Sequence, residues 1–336
     1  DAVYRYSWKR QNWFDNSRDE HLAVRTNVGM YDMTSFGKIR VEGPDAEVFL
    51  NRICGNDVAV APGRIVYTQF LNERGGIEAD VTVTRLTDTA YLIVTPAATV
   101  QRELYWLNRH MRDDRIVIVD MTSGEGVLAV MGPNARTLLE KVSPHNWSND
   151  NHPFGTAQTI ELGMGLARAH RVSYVGELGW ELYIPAEMAM AAHEALVAAG
   201  VSHAGLYASG SLRIESGFRA FGHELTPGTT PLEAGLDVFC AMGTGFVGED
   251  ALQDHKSKRR IVSILFDDPA AIPLHDEPIY FDGNVVGQIT SAAWSYRFGR
   301  SVALGLINAP LDLLETQDVV DGFEAEIACT GFAAKA

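Results

Sequence analysis

Carboxylates on two predicted strands are the side chains best placed for chemistry. In the stretch GGIEADVTVTRL, strand alternation puts Glu78, Asp80, Thr82 and Thr84 on one face and valines on the other. Such a face can hold a ligand, but the solvent-exposed face of an ordinary sheet has the same pattern. The residue types and spacing therefore make Asp80 a candidate without assigning it a role.

A second candidate stretch is RVSYVGELGWELYIP, which spans residues 171–185. Its glycines predict two short strands joined by a turn. Tyr174 and Glu181 lie on opposite sides of that turn, and Glu177 lies within it, where a structural or solvent-facing position is expected. An ordinary hairpin explains the pattern equally well, so periodicity alone gives Glu181 no function.

Other chemical motifs have less support. GTGFVG, residues 243–248, fits the glycine pattern of dinucleotide-binding sites, but the stretch before it is not a strong buried strand and the helix after it is short. A glycine loop before a helix is therefore favoured. The ten histidines form no HExxH or HxH motif, which argues against a metal site. A serine nucleophile is not supported, because no G-x-S-x-G elbow is present.

The composition is that of a globular chain with two or three domains. Its 336 residues are 46% hydrophobic and 21% charged, and the formal net charge is −15. That charge argues against non-specific nucleic-acid binding, and the sequence lacks an apolar run that predicts a transmembrane helix. Three distant cysteines, Cys54, Cys240 and Cys329, suit a reducing compartment. Since the chain begins without Met or an apolar signal core, we expect it to be processed, trimmed or part of a longer protein.

The elements that would carry these residues are mainly strands. A hairpin is predicted over 64–72 and 77–86, and further strands follow toward the end of the chain. Helices are fewer, and they are predicted at 44–53, 97–111, 186–200 and 208–217. Because the helices do not alternate regularly with the strands, an α+β fold with largely antiparallel sheets is predicted.

Six ordered blocks of the chain resemble the folate-binding aminomethyltransferase family, which includes the T-protein of the glycine cleavage system. They are VRTNVGMYDMTSFGKIRVEGPDAEVFLN, YTQFLNERGGIEADVTVTRL, LAVMGPNAR, RVSYVGELGWELYIP, GSLRIESGFRAFGHELTPGTTPLEAGL and VGQITSAAWSYRFGRSVALGLI. The blocks cover nearly the whole chain. YSWKRQNWF (residues 6–14) and YVGELGWELY most resemble the C-terminal portions of dimethylglycine and sarcosine dehydrogenases and dimethylglycine oxidase. We therefore expect such a portion of a longer flavoenzyme, or a free-standing relative.

The resemblance implies a three-domain cloverleaf around a central channel, with a C-terminal β-barrel or jelly-roll domain. The first two domains are expected to interleave along the chain. The expected limits are residues 1–60, about 120–150 and 205–257 for domain 1, residues 61–119 and about 151–204 for domain 2, and residues 258–336 for the C-terminal all-β domain.

A tetrahydrofolate site is also implied. Glu181 would accept hydrogen bonds from the pterin N3–H and 2-amino group, because a carboxylate presents two acceptor oxygens at matching spacing. Tyr174, at the family's aromatic position seven residues earlier, would pack or hydrogen-bond beside the ring. Asp80 matches the family's catalytic aspartate, which would stabilise positive charge on a folate nitrogen and help to move a proton.

Three further residues have two interpretations each. By family position Arg213 would meet an anionic part of the ligand, but it would equally form an ion pair with Glu215 or Glu224. Trp294 and Tyr296 would line the folate entrance, or they would be buried aromatics of the third domain. The family usually has small or Tyr-Gly residues where Trp294 stands. The resemblance therefore does not determine which substrate this end of the pocket accepts.

The implied reaction captures an iminium or formaldehyde unit from a methylated amine of the dimethylglycine or sarcosine type and gives 5,10-methylenetetrahydrofolate. An alternative is direct methyl transfer to 5-methyltetrahydrofolate without a flavin partner, and another is a folate-binding protein without catalysis. Tetrahydrofolate is the expected cofactor, with FAD only where a separate or missing flavin domain is present. The expected partners are a methylamine and a flavin-containing domain or subunit, not nucleic acid or a membrane. The expected location is the cytoplasm, or the mitochondrial matrix in a eukaryote.

Overall fold

Strands arranged in three sheets make up most of the fold. The computed structural model describes residues 3–7, 9–254, 259–281, 283–308 and 325–328. The strands in chain order are β1 (Gly29–Asp32), β2 (Gly37–Glu42), β3 (Ile65–Leu71), β4 (Ile77–Arg85), β5 (Ala90–Thr95), β6 (Val117–Asp120), β7 (Glu125–Met131), β8 (Ala157–Leu162), β9 (Gly165–His170), β10 (Gly179–Pro185), β11 (Ser202–His203), β12 (Arg260–Phe266), β13 (Pro278–Phe281), β14 (Asn284–Ser295), β15 (Arg300–Ile307) and β16 (Ala325–Ala328).

Helices cover the sheets and connect them. The α-helices in chain order are α1 (Phe14–Thr26), α2 (Ala46–Ile53), α3 (Val100–His110), α4 (Ala135–Leu139), α5 (Ala189–Ala198), α6 (Leu206–Glu215) and α7 (Glu249–Gln253). Short 3₁₀ segments lie at Ala97–Thr99, Thr122–Gly124, Ala186–Met188 and Asp237–Phe239.

The first sheet has six strands in the order β11-β1-β7-β10-β9-β8. Its pairings are antiparallel except for the short parallel pairing of β1 with β11. One face packs against α4 and α5 through a buried cluster that contains Trp180, Leu182 and Leu196. The alternate residues of β7 and β10 face the other way, toward the second sheet.

The second sheet is antiparallel throughout, with the order β3-β4-β5-β2-β6. Its outer face packs on α2 and α3, where Val81 and Val83 join a buried cluster with Phe49 and Leu107. Its inner face meets the first sheet through a separate cluster, whose members include Leu92, Val94, Val127, Ala129 and Tyr183. The two sheets therefore pack face to face.

The third sheet has the order β13-β14-β15-β12-β16 and is antiparallel. It packs on α6 through Ile214, Val302 and Leu304. Strands β13 and β16 are its two edges, so the strands that the structure describes form an open sheet. The expected barrel or jelly roll is not seen in them, and residues 309–324 and 329–336 of this domain lie outside the described residues.

The structure confirms the predicted α+β class with largely antiparallel sheets. The hairpin of β3 and β4 and the helices α2, α3, α5 and α6 fall where the sequence predicts them. Helix α1 was not predicted, because its sequence FDNSRDEHLAVRT lacks an apolar stripe and buries only Ser17, His21 and Val24. A helix of this kind depends on specific polar contacts rather than on hydrophobic periodicity.

The strand pairing groups the segments differently from the expected domain limits. Residues 157–185 join residues 29–32 and 125–131 in the first sheet, whereas the expected limits placed them with residues 61–119. Strand β2 likewise pairs with β5 and β6 of the second sheet. These pairings join segments that are far apart in sequence, so strand patterns alone do not determine them. The domain limits and the central channel stay predictions.

Candidate functional site

Asp80 lies on the face of the second sheet that packs toward the first sheet. Residues opposite each other in an antiparallel pair share a face, and the register pairs Thr82 with Val94 and Thr84 with Leu92. Leu92 and Val94 pack against the first sheet. Asp80 lies two residues before Thr82, so its side chain points into the same space between the sheets.

The carboxylate of Asp80 has a neutral hydrogen-bond donor and no cation bound to it in the described residues. Gln69, opposite in the register, donates from Nε2 to Asp80 Oδ1 at 3.0 Å. The Tyr67 hydroxyl on the same face also favours the ionised form, but burial outweighs both effects and raises the pKa of Asp80 to about 6. Asp80 is therefore an anion at neutral pH that can accept a proton under mild conditions.

Tyr67 was missed from the sequence, although a signal for it was present. The stretch RIVYTQFLN was predicted to form a hairpin with the strand of Asp80, and antiparallel pairing puts Tyr67 and Gln69 opposite Thr82 and Asp80. Burial and the neighbouring Asp80 charge raise the pKa of Tyr67 well above its usual value, so it stays a hydroxyl donor. The strand pairing of the predicted hairpin is therefore the signal that places Tyr67 and Gln69 beside Asp80.

Tyr174 belongs to the same cluster as Asp80. Its hydroxyl donates to the backbone carbonyl of Arg219 at 2.8 Å, and its ring stacks on Phe218. Burial raises the pKa of Tyr174, and the charges of Arg213 and Asp80 also act on it. Tyr67 and Tyr174 also act on each other electrostatically, as do Tyr174 and Asp80, so the three side chains lie in one region; the ligand-binding role of Tyr174 stays a prediction.

The expected hairpin forms from β9 and β10, but its first strand ends before Tyr174, which lies in the loop between the two strands. Strand β9 ends at His170, and residues 171–178 form turns before β10 begins. Gly176 has a φ of 74°, and a Cβ there would lie 2.2 Å from Ser216 Oγ, so a side chain would not fit. Glu177 pairs with Arg25 of α1 at 2.7 Å, which agrees with its expected structural position.

Glu181 lies on the facing surface of the first sheet. It pairs with Ala129 and His170 in the register, and Ala129 packs toward the second sheet. Its side chain is 8% exposed, and among the described residues its hydrogen-bond donor is the Tyr183 hydroxyl, 2.8 Å from Oε2. Burial raises the pKa of Glu181 to about 7. Two carboxylates with raised pKa values therefore point from opposite sheets into the space between them.

Arg213 forms the second of its two expected ion pairs. Its Nη1 lies 2.9 Å from Glu224 Oε2, and its Nη2 donates to Ser291 Oγ at 2.7 Å. Glu215 is engaged elsewhere, by Arg25 and by the Ser295 hydroxyl. The structure thus accounts for Arg213 as a buried ion pair, and its contact with a ligand stays a prediction.

Trp294 and Tyr296 lie together at a cavity of about 310 Å³ bordered by the beginnings of α1 and α6. The Arg10 guanidinium lies 4.6 Å from the Trp294 ring, and the Tyr296 hydroxyl donates to the carbonyl of Phe14 at 3.0 Å. Arg213 lines this cavity too, and its charge also acts on Tyr174. Arg213 also donates to the carbonyl of Phe218, whose ring stacks on Tyr174, while the folate-entrance role of Trp294 and Tyr296 stays a prediction.

The glycine loop at residues 243–248 is occupied by the protein's own carboxylate. Glu249 accepts hydrogen bonds from the backbone N–H groups of Gly243 and Gly245, the latter at 2.6 Å. These are the donors that a dinucleotide phosphate would need. The structural interpretation of GTGFVG is therefore the better one.

The described residues contain no group of three or more His, Cys, Asp or Glu side chains arranged to hold a metal ion. None of their helices is both long enough and apolar enough to cross a bilayer.

Two family models cover most of the chain. The one described as "GCVT N-terminal domain" matches residues 2–244, and the one described as "Glycine cleavage T-protein C-terminal barrel domain" matches residues 259–336. The aminomethyltransferase of Listeria welshimeri is 32% identical over 307 residues, which are 90% of this chain and 84% of that protein. The chain belongs to the glycine cleavage T-protein family.

A crystal structure from the T-protein family has the same fold. The glycine cleavage system aminomethyltransferase T from Bartonella henselae superposes with a TM-score of 0.81 and 26% identity, over 96% of this chain and 92% of that one. The resemblance drawn from the six sequence blocks is thus confirmed. The chain is aminomethyltransferase-like, and its relatives are named as enzymes.

Longer relatives in the T-protein family also match. The "4-methylaminobutanoate oxidase (formaldehyde-forming)" of Paenarthrobacter nicotinovorans is 39% identical over 324 residues, 93% of this chain and 39% of the oxidase. The mitochondrial dimethylglycine dehydrogenase of Rattus norvegicus is 33% identical over 332 residues, 96% of this chain and 38% of that enzyme. The chain therefore spans about two fifths of the length of these two relatives.

The buried pair of Arg213 and Glu224 gives a stability prediction. Replacing Glu224 with Gln leaves the Arg213 guanidinium buried without its counter-charge, so the free energy of unfolding should fall by about 3 kcal/mol. Chemical unfolding measures the loss. Glu42→Gln is the control, because the ion pair of Glu42 with Arg40 is largely exposed and should contribute less than about 1 kcal/mol. Equal losses in the two variants would contradict a structural role for the buried pair.

Proposed function

We propose that the chain binds tetrahydrofolate between its first and second sheets and catalyses one-carbon transfer to it. The proposed donor is an iminium or formaldehyde unit from a methylated amine, and the product is 5,10-methylenetetrahydrofolate. The observation that carries the proposal is the pair of carboxylates on facing sheets, the half-buried Asp80 and the buried Glu181. Relatives named as a formaldehyde-forming oxidase and as dimethylglycine dehydrogenases support this class of substrate.

Glu181 is the proposed holder of the pterin ring. The edge of the ring presents two parallel N–H donors, and an ionised carboxylate accepts both. Within the described part of the chain no cation is bonded to Glu181, and the Tyr183 hydroxyl occupies one acceptor position of Oε2. The remaining lone pairs fit a neutral ligand that brings donors of its own. Because a protonated Glu181 would lose this capacity, binding should weaken as the pH falls through about 7.

Asp80 is the proposed catalytic residue. Tetrahydrofolate supplies the nucleophilic nitrogen N5, which becomes positively charged when it bonds to the one-carbon unit. An ionised Asp80 stabilises that charge and accepts the proton that must leave. Gln69 and Tyr67 hold the carboxylate from the same sheet face without neutralising it. Since the ionised form is required, the rate should fall as the pH drops through about 6.

A redox partner is part of the proposal. Converting a methylamine to an iminium removes two electrons, so the electrophile requires an oxidising unit. A flavin-containing domain or subunit is the proposed source, in keeping with relatives named as an oxidase and as dehydrogenases whose length the chain only partly covers. The dimethylglycine or sarcosine type of amine belongs to the same proposal.

Ligand binding and product analysis test the proposed function directly. Calorimetry of the chain with tetrahydrofolate should show binding, and incubation with formaldehyde should convert the bound folate to the 5,10-methylene form faster than the uncatalysed reaction. Mass spectrometry separates this product from 5-methyltetrahydrofolate. A 5-methyl product formed from a methyl donor without oxidation would favour direct methyl transfer. No binding at millimolar tetrahydrofolate would overturn the proposal.

Glu181→Gln should weaken tetrahydrofolate binding by at least about tenfold, because one acceptor oxygen becomes a donor facing another donor. Calorimetry at pH 8, where Glu181 is mostly ionised, measures the difference. The control is Glu161→Gln, since Glu161 belongs to the same sheet but is exposed at β8. Wild-type affinity in Glu181→Gln would remove this residue from the binding site.

Asp80→Asn should slow one-carbon capture by about 10²-fold or more, with tetrahydrofolate affinity within about threefold of wild type. The amide keeps the shape of the side chain but neither accepts the proton nor balances the charge. Single-turnover rates with saturating folate, followed from pH 5 to 8, measure the effect. The wild-type decrease near pH 6 should be absent in the variant.

Asp88→Asn is the control for this measurement, because Asp88 is exposed in the β4–β5 turn and should leave the rate unchanged. Unchanged capture in Asp80→Asn would exclude Asp80 from the mechanism.

A further inference from the structure

Tyr183 is the immediate neighbour of Glu181 in the space between the sheets. The two residues are separated by one position on β10, so their side chains lie on the same face. The Tyr183 hydroxyl lies 2.8 Å from Glu181 Oε2, and the whole tyrosine is buried. A fully buried tyrosine hydroxyl needs a partner, and here that partner is the carboxylate proposed to hold the pterin.

The ring of Tyr183 is held in place from the neighbouring strand β9. The His170 imidazole packs on it with ring centroids 4.2 Å apart, and the Arg168 guanidinium lies 5.4 Å from its centroid. Arg168 is itself fixed, because its Nη2 donates to both oxygens of Glu125 at 3.0 and 2.9 Å. These contacts leave the hydroxyl little freedom to turn away from Glu181.

The protonation states of this cluster determine which group donates. Arg168 Nε lies 3.1 Å from His170 Nε2, and arginine has only donors, so His170 accepts and is neutral. Burial lowers the pKa of His170 well below its usual value and raises the pKa of Tyr183 well above its own. Tyr183 therefore remains a donor at any pH that the protein meets, and Glu181 is the group that changes its protonation.

Charged side chains on neighbouring strands lie near Tyr183 and Glu181. Arg168 and Glu125 neutralise each other at the far end of β9 and β7. Lys38 of β2 faces the same space, but its ammonium donates to the carbonyl of Thr34. Asp80 faces the same space from β4. Within the described residues, the one side chain that donates a hydrogen bond to the Glu181 carboxylate is thus Tyr183.

We propose that Tyr183 is a positioning residue that keeps the Glu181 carboxylate ionised for the pterin. The proposal rests on the function proposed above, because it concerns the same carboxylate. It assigns Tyr183 no contact with folate. Its action is through Glu181, whose second oxygen and remaining lone pairs stay available to the ligand.

The physical consequence is a dependence on pH. A hydrogen bond donated to a carboxylate stabilises the charged form, whereas burial destabilises it. Without the Tyr183 hydroxyl, burial still raises the pKa of Glu181 but the opposing hydrogen bond is lost. The pKa of Glu181 should therefore increase. At a given pH near neutrality a smaller fraction of the protein then carries the ionised carboxylate that the pterin requires.

Tyr183→Phe tests the proposal through the pH profile of binding. The probe is 5-formyltetrahydrofolate, a stable reduced folate, titrated calorimetrically from pH 6 to 9. At pH 6.5 the affinity of the variant should be about tenfold lower than that of wild type, since one pH unit in the titration of Glu181 changes the ionised fraction by about that factor. At pH 9 the two proteins should agree within about twofold. A loss of the same size at every pH, or no loss, would overturn the proposal.

Tyr91→Phe is the matched control for this measurement. Tyr91 is also a fully buried tyrosine on a strand, and its hydroxyl lies 3.4 Å from a glutamate oxygen, that of Glu47, on the opposite face of the second sheet. Its replacement removes a comparable hydroxyl without touching Glu181. The binding profile of Tyr91→Phe should follow wild type at every pH. A pH-dependent loss in the control as well would show that the effect does not come from Glu181.

A second readout separates this proposal from the proposed function. The Glu181 carboxyl signal, identified by its absence in Glu181→Gln, is titrated by carbon-13 NMR without any folate present. Its midpoint should rise by about one pH unit in Tyr183→Phe and stay in place in Tyr91→Phe. If wild type binds no folate but the midpoint moves, the proposed function fails and the action of Tyr183 on Glu181 stands. An unmoved midpoint overturns the role of Tyr183.

Discussion

Two carboxylates, the half-buried Asp80 and the buried Glu181, lie between two sheets and face away from bulk water. Taking an ionised group out of water is costly unless hydrogen bonds or charges replace the lost hydration. Asp80 and Glu181 receive neutral donors, Gln69 and Tyr183, and no bonded cation from the described residues. Their pKa values accordingly rise to about 6 and about 7. A cation at either place would lower the pKa and reduce the ability to accept a proton or a neutral donor.

Two other buried carboxylates are bound by cations. Glu224 and Glu215 are each engaged by an arginine and by further hydrogen bonds, and they join α6 to the third sheet and to α1. These fully neutralised groups hold elements together. Glu224 and Glu215 thus differ from Asp80 and Glu181 in having a bonded cation.

The parts of the fold and of the candidate site that could be predicted from the sequence are those whose interacting residues lie close together along the chain. The strand face that carries Asp80 and its hairpin partner were predicted, because both follow from a short local pattern. The positions of Tyr174 and Glu181 relative to Asp80 required the family resemblance. The pairing of β10 with β7 and the packing of the two sheets arise from contacts across many residues, which no local pattern encodes. Helix α1 was missed for the related reason that it packs through contacts with distant elements, such as the ion pair of Arg25 with Glu215.

The interleaving of the two sheets has a consequence for how the site is made. The first sheet starts with β1 near residue 30 but is completed only by strands between residues 125 and 203, while the second sheet forms from the segment between. Contacts of such long sequence separation form slowly, because a large loop must close before they stabilise anything. On a ribosome, Asp80 therefore emerges about a hundred residues before the carboxylate it faces. The space between the sheets therefore forms late in folding. During synthesis Leu92 and Val94 on the inner face of the second sheet stay exposed until the first sheet covers them.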